Sequence, residues 1–323
     1  MPRSEKALIE RIRLQARRFS PIVKTGIGDD CAVLRTPPDH EVLVTTDFSL
    51  EGIHFRREWH PPESVGHRCL TRGLSDIAAM GGDPVAAFLS LALPKAISQR
   101  WVDRFTRGLL DLAQAAKVTL AGGDTAQSPS GIFADIIVLG FVPRGRAILR
   151  STARPGDRIC VTGELGSSAA ALDQLLSRRK KKLTPQNYPR HFFPQPRVEV
   201  GRALREKKLA SAMIDLSDGL STDLRHICDE SGVGAEIFSP ALPVGADPDK
   251  NRTAALNFAL HGGDDYELLF TAPAKKTLPS TIAGIQITEI GVVTRGKGIF
   301  LVNSSGRKTK LQAKGWQHFS QGR

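Results

Sequence analysis

The sequence is short of several things, and each shortage closes off a class of protein. Only four cysteines occur in 323 residues, at positions 31, 69, 160 and 228. None forms a C-x-x-C pair, so neither a zinc knuckle nor a disulfide framework is indicated, and a reduced, cytoplasmic setting is expected. Aromatic residues make up 6%, with two Tyr and three Trp. Nucleic-acid binders usually interleave stacking aromatics with basic residues, so a nucleic-acid partner is not expected. No window approaches the roughly 18 unbroken apolar residues of a membrane helix. The best candidate, residues 132–142, is too short and is interrupted by Asp135. The first 18 residues alternate charge with Leu8, Ile9, Ile12 and Leu14, which reads as a surface helix and not as a secretory leader. The phosphate-binding signature G-x-x-x-x-G-K-[ST], the dinucleotide fingerprint and the H-R-D and D-F-G motifs of protein kinases are all missing.

What is present is an ordinary globular composition, 41% apolar and 24% charged. At roughly 150 residues per domain, two domains are expected. Lys and Arg exceed Asp and Glu by 45 to 33, a net charge of +12. The clearest basic run, 178–182, reads as a solvated helix end and loop.

Apolar spacing predicts strands at 42–46, 85–93, 118–121 and 132–142 and helices at 63–80 and 99–117. The second helix places Val102, Phe105, Leu109, Leu112 and Ala116 on one face. Turn-rich sequence around Pro143 and Pro155 sets a domain boundary near 145, giving domains 1–145 and 146–323. In the second half, strands are expected at 158–162, 235–238, 267–271, 291–294 and 299–302. Helices are expected at 167–178, 198–207, 222–231 and 253–260. The basic, Pro-rich segment 180–196 reads as a long mobile loop. The order of elements is not a clean βαβ alternation, so α+β is favoured over a doubly wound sheet.

The acids are more informative than the charge total. Six aspartate sites sit beside Gly, Ser or Thr at element ends: Gly28-Asp29-Asp30, Thr45-Thr46-Asp47, Ser75-Asp76, Gly122-Gly123-Asp124, Asp215-Leu216-Ser217-Asp218 and Gly262-Gly263-Asp264-Asp265. A single Asp after Gly is ordinarily a turn or a helix cap. Six in a net-basic chain, flanked by small residues that let a ligand approach the backbone, point to hard oxygen ligands for several Mg²⁺ ions holding phosphates.

These six motifs, in this order from about residue 20 to Trp316 and the residues just after it, resemble the thiamine-monophosphate kinase family. Its wider superfamily includes aminoimidazole ribonucleotide synthetase, selenophosphate synthetase and a hydrogenase maturation protein. The resemblance implies an N-terminal α/β domain and a C-terminal α+β domain. It implies a homodimer joined through N-terminal strands, with ATP bound in a cleft there. The implied reaction is ATP-dependent phosphorylation of thiamine monophosphate to thiamine diphosphate. By matched position, Asp30, Thr45, Thr46, Asp47, Asp76, Asp124, Asp215 and Asp218 would hold Mg²⁺. Gly123, Asp124, Arg150 and Ser217 would contact ATP, and His54, Asp264 and Trp316 the thiamine phosphate. Asp29 reads equally as a turn cap. Asp264 stands where the family commonly has Glu, while Gly73 and Ile53 each stand where it commonly has Asn. A phosphate monoester is largely a dianion at neutral pH, so direct in-line transfer without a general base is expected.

Overall fold

A computed structural model describes residues 5–16, 20–27, 31–177, 183–245 and 252–316. The chain separates into two compact units, one of residues 1–77 with 82–146 and one of residues 78–81 with 147–323.

The first unit contains α1 (Glu5–Gln15), β1 (Val23–Thr25), β2 (Val33–Leu34), β3 (His40–Leu50), α2 (Pro62–Ala79), β4 (Asp83–Pro94), α3 (Gln99–Ala115), β5 (Thr119–Ser128) and β6 (Phe133–Pro143). Its four-stranded sheet has the order β3-β6-β4-β5, with β4 and β5 parallel and the other pairs antiparallel. Helix α2 begins with Pro62, where a missing N–H costs nothing, and stops at Gly81, whose φ of +67° a side chain would resist. Helix α3 is capped by Ser98, whose hydroxyl accepts from the Trp101 N–H at 3.2 Å. The apolar face expected of α3 is the buried one, except that Ala113 is buried in place of Ala116, which caps the helix. The two helices cross at reciprocal glycines: a Cβ on Gly66 would lie 1.9 Å from the Phe105 carbonyl oxygen, and one on Gly108 equally close to that of Glu63.

The second unit contains β7 (Arg158–Thr162), α4 (Ser167–Leu176), α5 (Pro189–Phe192), α6 (Val198–Glu206), β8 (Ala212–Asp215), α7 (Leu220–Ser231), β9 (Gly234–Phe238), α8 (Arg252–His261), β10 (Leu268–Ala272), β11 (Thr281–Ile282), β12 (Ile285–Thr294), β13 (Ile299–Val302) and β14 (Lys308–Lys310). The sheet runs β14-β13-β9-β12-β7-β10-β8, antiparallel except for the β13–β9 pair, with β11 attached to β12. Its core gathers Ile159, Val161, Ile214, Leu224, Ile237, Leu269 and Ile290, each at most 2% exposed. Fully burying such a side chain is worth about 1.5–3 kcal/mol. The mixed α/β and α+β character expected from the motifs is what the two sheets show.

Three expectations need correction. The strands expected to stop at 46 and 121 run on to Leu50 and Ser128, so Thr45–Asp47 and Gly122–Asp124 lie inside β3 and β5 and not at element ends. Strand β8 was not anticipated, because four apolar-to-acidic residues give too short a periodic signal. The expected mobile loop at 180–196 is not loose over its described part, 183–196. There α5 buries His191 and Phe192, and the Ser168 hydroxyl lies 3.0 Å from His191 Nδ1. The basic run 178–182 lies outside the described residues. Among the described residues no helix is long and apolar enough to cross a membrane. Cys69, Cys160 and Cys228 are buried, which pushes each thiol up to about 12, whereas Cys31 is exposed.

The helix crossing makes a stability prediction. Gly66→Ala and Gly108→Ala each force backbone apart, and overpacking of this kind costs about 1–3 kcal/mol. Urea unfolding midpoints should fall for both. An unchanged midpoint in either variant would show that the helices have room to separate.

Candidate active site

In the first unit the side chains of β3 alternate between two faces. Thr45, Asp47 and Ser49 face α2: Thr45 Oγ1 donates to Asp76 of that helix, and Arg72 Nη1 lies 3.7 Å from Asp47 Oδ1. Thr46 and Phe48 face the other way, where Thr46 Oγ1 donates to Asp135 Oδ1 at 2.7 Å. The register continues that open face across the sheet. Phe48 stands opposite Asp135, Asp135 opposite Ser90, and Ser90 opposite Asp124. The expected ligand side chains therefore divide between the two faces: Thr45, Asp47 and Asp76 meet on the α2 side, whereas Thr46 and Asp124 share the open face three strand spacings, about 14 Å, apart. Adjacent side chains on opposite faces of one sheet cannot chelate a single ion. Only a backbone oxygen of Thr46 could join the first group.

Gly123 sits beside Asp124 on β5, two residues beyond Ala121, the extra residue of that strand against β4. Its φ is +149°, and a Cβ there would fall 1.9 Å from the Leu89 carbonyl oxygen, so this position admits only glycine. His54 lies in the turn after β3. Its Nδ1 accepts from the Leu50 N–H at 3.0 Å, which leaves Nε2 as the nitrogen that carries hydrogen in the neutral ring. Asp30 and Asp29 lie outside the described residues.

In the second unit five expected residues share one backbone frame. Asp215 ends β8 and is buried, opposite Leu268 of β10. Beyond it, the Leu216 carbonyl accepts from the Tyr266 N–H at 2.9 Å and the Ser217 carbonyl from the Asp264 N–H at 2.8 Å. The Asp218 carbonyl accepts from the Trp316 N–H at 3.1 Å. Asp223, in the first turn of α7, accepts from the N–H groups of Asp218 at 3.2 Å and Gly219 at 3.0 Å. The segment that carries Trp316 is tied down by Gly315 N–H to Thr222 Oγ1 at 3.0 Å, and Trp316 is 51% exposed. Arg150 lies elsewhere in this unit. Its carbonyl accepts from Ser231 at the far end of α7, a helix of 12 residues and so about 18 Å long.

Burial pushes the Asp223 carboxyl up, and the charges of Asp215 and Asp218 push it further, against the two N–H donors. Asp265 accepts from the Gly166 N–H at 2.8 Å at the start of α4, so its carboxyl group serves that helix end. Burial raises its carboxyl to about 8. Sequence alone puts Asp265 among the candidate oxygen ligands but gives no role to Asp223 or Tyr266, whose helix-start and motif positions look like an ordinary cap and core. It met Asp135 only as an interruption in an apolar run, although period-two alternation on β6 would have put it on the open face.

The donors are carboxylates and hydroxyls, the hard oxygen set that suits Mg²⁺. Asp218, Asp223 and His226 also place one ligand atom each within 4.8 Å of one another.

The AIR synthase related protein N-terminal domain matches residues 28–142 and the corresponding C-terminal domain residues 154–303. Thiamine-monophosphate kinase of Escherichia coli (strain K12) is 39% identical over 330 residues, covering 98% of each chain. The chain belongs to the thiamine-monophosphate kinase family. The crystal structure of the Stenotrophomonas maltophilia K279a member is 35% identical, covers 94% of this chain and 96% of its own, and superposes with a TM-score of 0.80. AaThiL complexed with AMPPCP and TMP is 34% identical, covers 98% of this chain and 97% of its own, and gives a TM-score of 0.77.

The Asp265 carboxyl makes a pH prediction. Its folded value near 8 lies above the roughly 3.9 of an unfolded Asp. Between these values the folded chain holds a proton that the unfolded chain has released, so this group's share of stability is lost as pH rises from about 4 to 8. Asp265→Asn should flatten the fall in unfolding free energy between pH 5 and pH 8. Parallel profiles for variant and wild type would refute the assignment.

Proposed function

We propose that this protein transfers the γ-phosphoryl group of ATP to thiamine monophosphate, giving ADP and thiamine diphosphate. The observation that carries the reading is the frame in which Ser217 and Asp218, expected at nucleotide and metal, are hydrogen-bonded through their backbones to Asp264 and Trp316, expected at the acceptor. A family relative complexed with AMPPCP and TMP supports the same pair of substrates.

The acceptor phosphate is already a nucleophile at neutral pH, so no side chain need remove a proton. The obstacle is repulsion between two polyanions, roughly 4 kcal/mol for each pair of unit charges at 4 Å and an effective dielectric near 20. Mg²⁺, when bound to the carboxylates and hydroxyls described above, would supply positive charge that offsets this repulsion. Thr45, Asp47 and Asp76 would hold ions on the α2 side of the sheet, Thr46 and Asp124 on its open side, and Asp215 and Asp218 in the second unit, with Asp30 a further ligand. Gly123 lets phosphate approach the backbone closely, and Arg150 and Ser217 contact ATP. His54 presents Nε2–H as a donor to the acceptor phosphate. With Nδ1 engaged by Leu50, Nε2 has no lone pair to accept a phosphoryl group, which supports direct in-line transfer over a phosphohistidine. Trp316 supplies a flat face for an aromatic ring of the substrate.

The working unit is a homodimer in the cytoplasm, without nucleic acid or membrane. Strand β3 is an 11-residue edge carrying Val42, Val44 and Phe48 at 48%, 64% and 58% exposure. Such an edge is an aggregation hazard unless something covers it, and a second copy of the same strand is the economical cover.

Purified protein given ATP, Mg²⁺ and thiamine monophosphate should yield thiamine diphosphate and ADP in equal amounts. Asp47→Asn and Asp124→Asn should each lower turnover by at least about 100-fold with circular dichroism unchanged, since a metal ligand outweighs the 10–100-fold of its supporting residues. Near-normal turnover by either variant at low Mg²⁺ defeats the metal assignment. Val44→Glu with Phe48→Glu should shift sedimentation from dimer to monomer. A dimer that survives both changes places the interface elsewhere.

A further inference from the structure

We propose that Tyr266 is a positioning residue: its hydroxyl sets the Asp264 carboxylate for the thiamine phosphate, a role that rests on the function proposed above. Tyr266 is 1% exposed and among the largest fully buried side chains. A buried phenol needs a polar partner. This one donates to Asp264 Oδ1 at 2.6 Å, the short distance of a hydrogen bond to an ionised acceptor.

The contact depends on an unusual backbone. In an extended strand, residues two apart lie about 6.6 Å from each other with side chains roughly parallel. Here Asp264 and Tyr266 both adopt the left-handed region, at φ of +63° and +51°, which side chains with a Cβ enter at a cost. The bend is held by the Asp264 and Tyr266 N–H bonds to the carbonyls of Ser217 and Leu216 and by Gly263, where a Cβ would lie 2.5 Å from the Ser217 carbonyl oxygen. Each neighbouring acid has its own task. Asp265 serves the start of α4, and Glu267 receives Arg197 Nε at 2.6 Å. Asp264 is the acid of this run that the Tyr266 hydroxyl holds. A carboxylate one methylene shorter than Glu reaches less far, so its fixed orientation matters more.

The test is a double-mutant cycle on initial rates, with each substrate varied at saturating levels of the other. Tyr266→Phe keeps the ring and loses only the hydroxyl. It should raise KM for thiamine monophosphate about tenfold, as expected for a hydrogen bond to a charged group, with KM for ATP changed less than about twofold. In an Asp264→Asn background the same change should add less than about twofold, because the two residues act as one unit. An active wild type whose Tyr266→Phe variant keeps its KM, or whose two effects multiply independently, overturns this role and leaves the proposed function standing. A Tyr266→Phe chain that does not fold also overturns it, since the hydroxyl would then be structural. A wild type that forms no thiamine diphosphate removes the function and this role together.

Discussion

The chemistry of the second unit hangs on one backbone seam. Residues 216–218 give their carbonyls to the N–H groups of Tyr266, Asp264 and Trp316, and the Leu216 N–H returns a bond to the Glu267 carbonyl. Three distant stretches of chain are thereby fixed relative to one another without relying on long side chains. The seam closes only where Cβ atoms are missing. Gly263 meets Ser217, and a Cβ on Gly315 would lie 2.1 Å from the Asp218 carbonyl oxygen. Just beyond it, Glu267 is 1% exposed and would be costly as a lone charge. Arg197 answers it with a two-pronged contact, Nε at 2.6 Å and Nη2 at 2.5 Å, and Thr162 adds a hydroxyl at 2.6 Å. That cluster also anchors the stretch following α5 to the sheet.

The first unit solves a different problem with a single strand. Because β3 alternates, one sequence stretch serves two surfaces: Thr45 and Asp47 face α2, while Val44, Thr46 and Phe48 face outward. Asp135 and Asp124 extend the outward row over three further strands. The pleat decides which acids can act together more strictly than their proximity in sequence does.

Much of this was legible beforehand. Long periodic segments such as α2 and α3 announced themselves, expected at 63–80 and 99–117 and found at Pro62–Ala79 and Gln99–Ala115. The aspartate motifs stood out because six of them, flanked by small residues, recur in a net-basic chain, and four positions within them, Asp215, Ser217, Asp218 and Asp264, share the frame around β8 with Trp316. Other features were hidden for physical reasons. Helix α5 is one turn long and has no period to read. Strand β8 is four residues, below the length at which alternation is visible. The role of Tyr266 depends on two left-handed non-glycine residues, a conformation imposed by tertiary bonds and invisible to local propensity. The two-sided split of Thr45 and Asp47 from Thr46 could be read from alternation alone, but for Asp47 only once the strand was known to continue past Thr46 to Leu50.

The burial of three cysteines has a practical side. Cys69, Cys160 and Cys228 are held as thiols far from the thiolate state, so maleimides and mild oxidants have little to attack there. Cys31 alone is open, and it directly follows Asp30. A fluorophore attached at that single natural handle would sit beside an expected ion ligand, turning the unmodified sequence into its own optical reporter of ion and nucleotide occupancy.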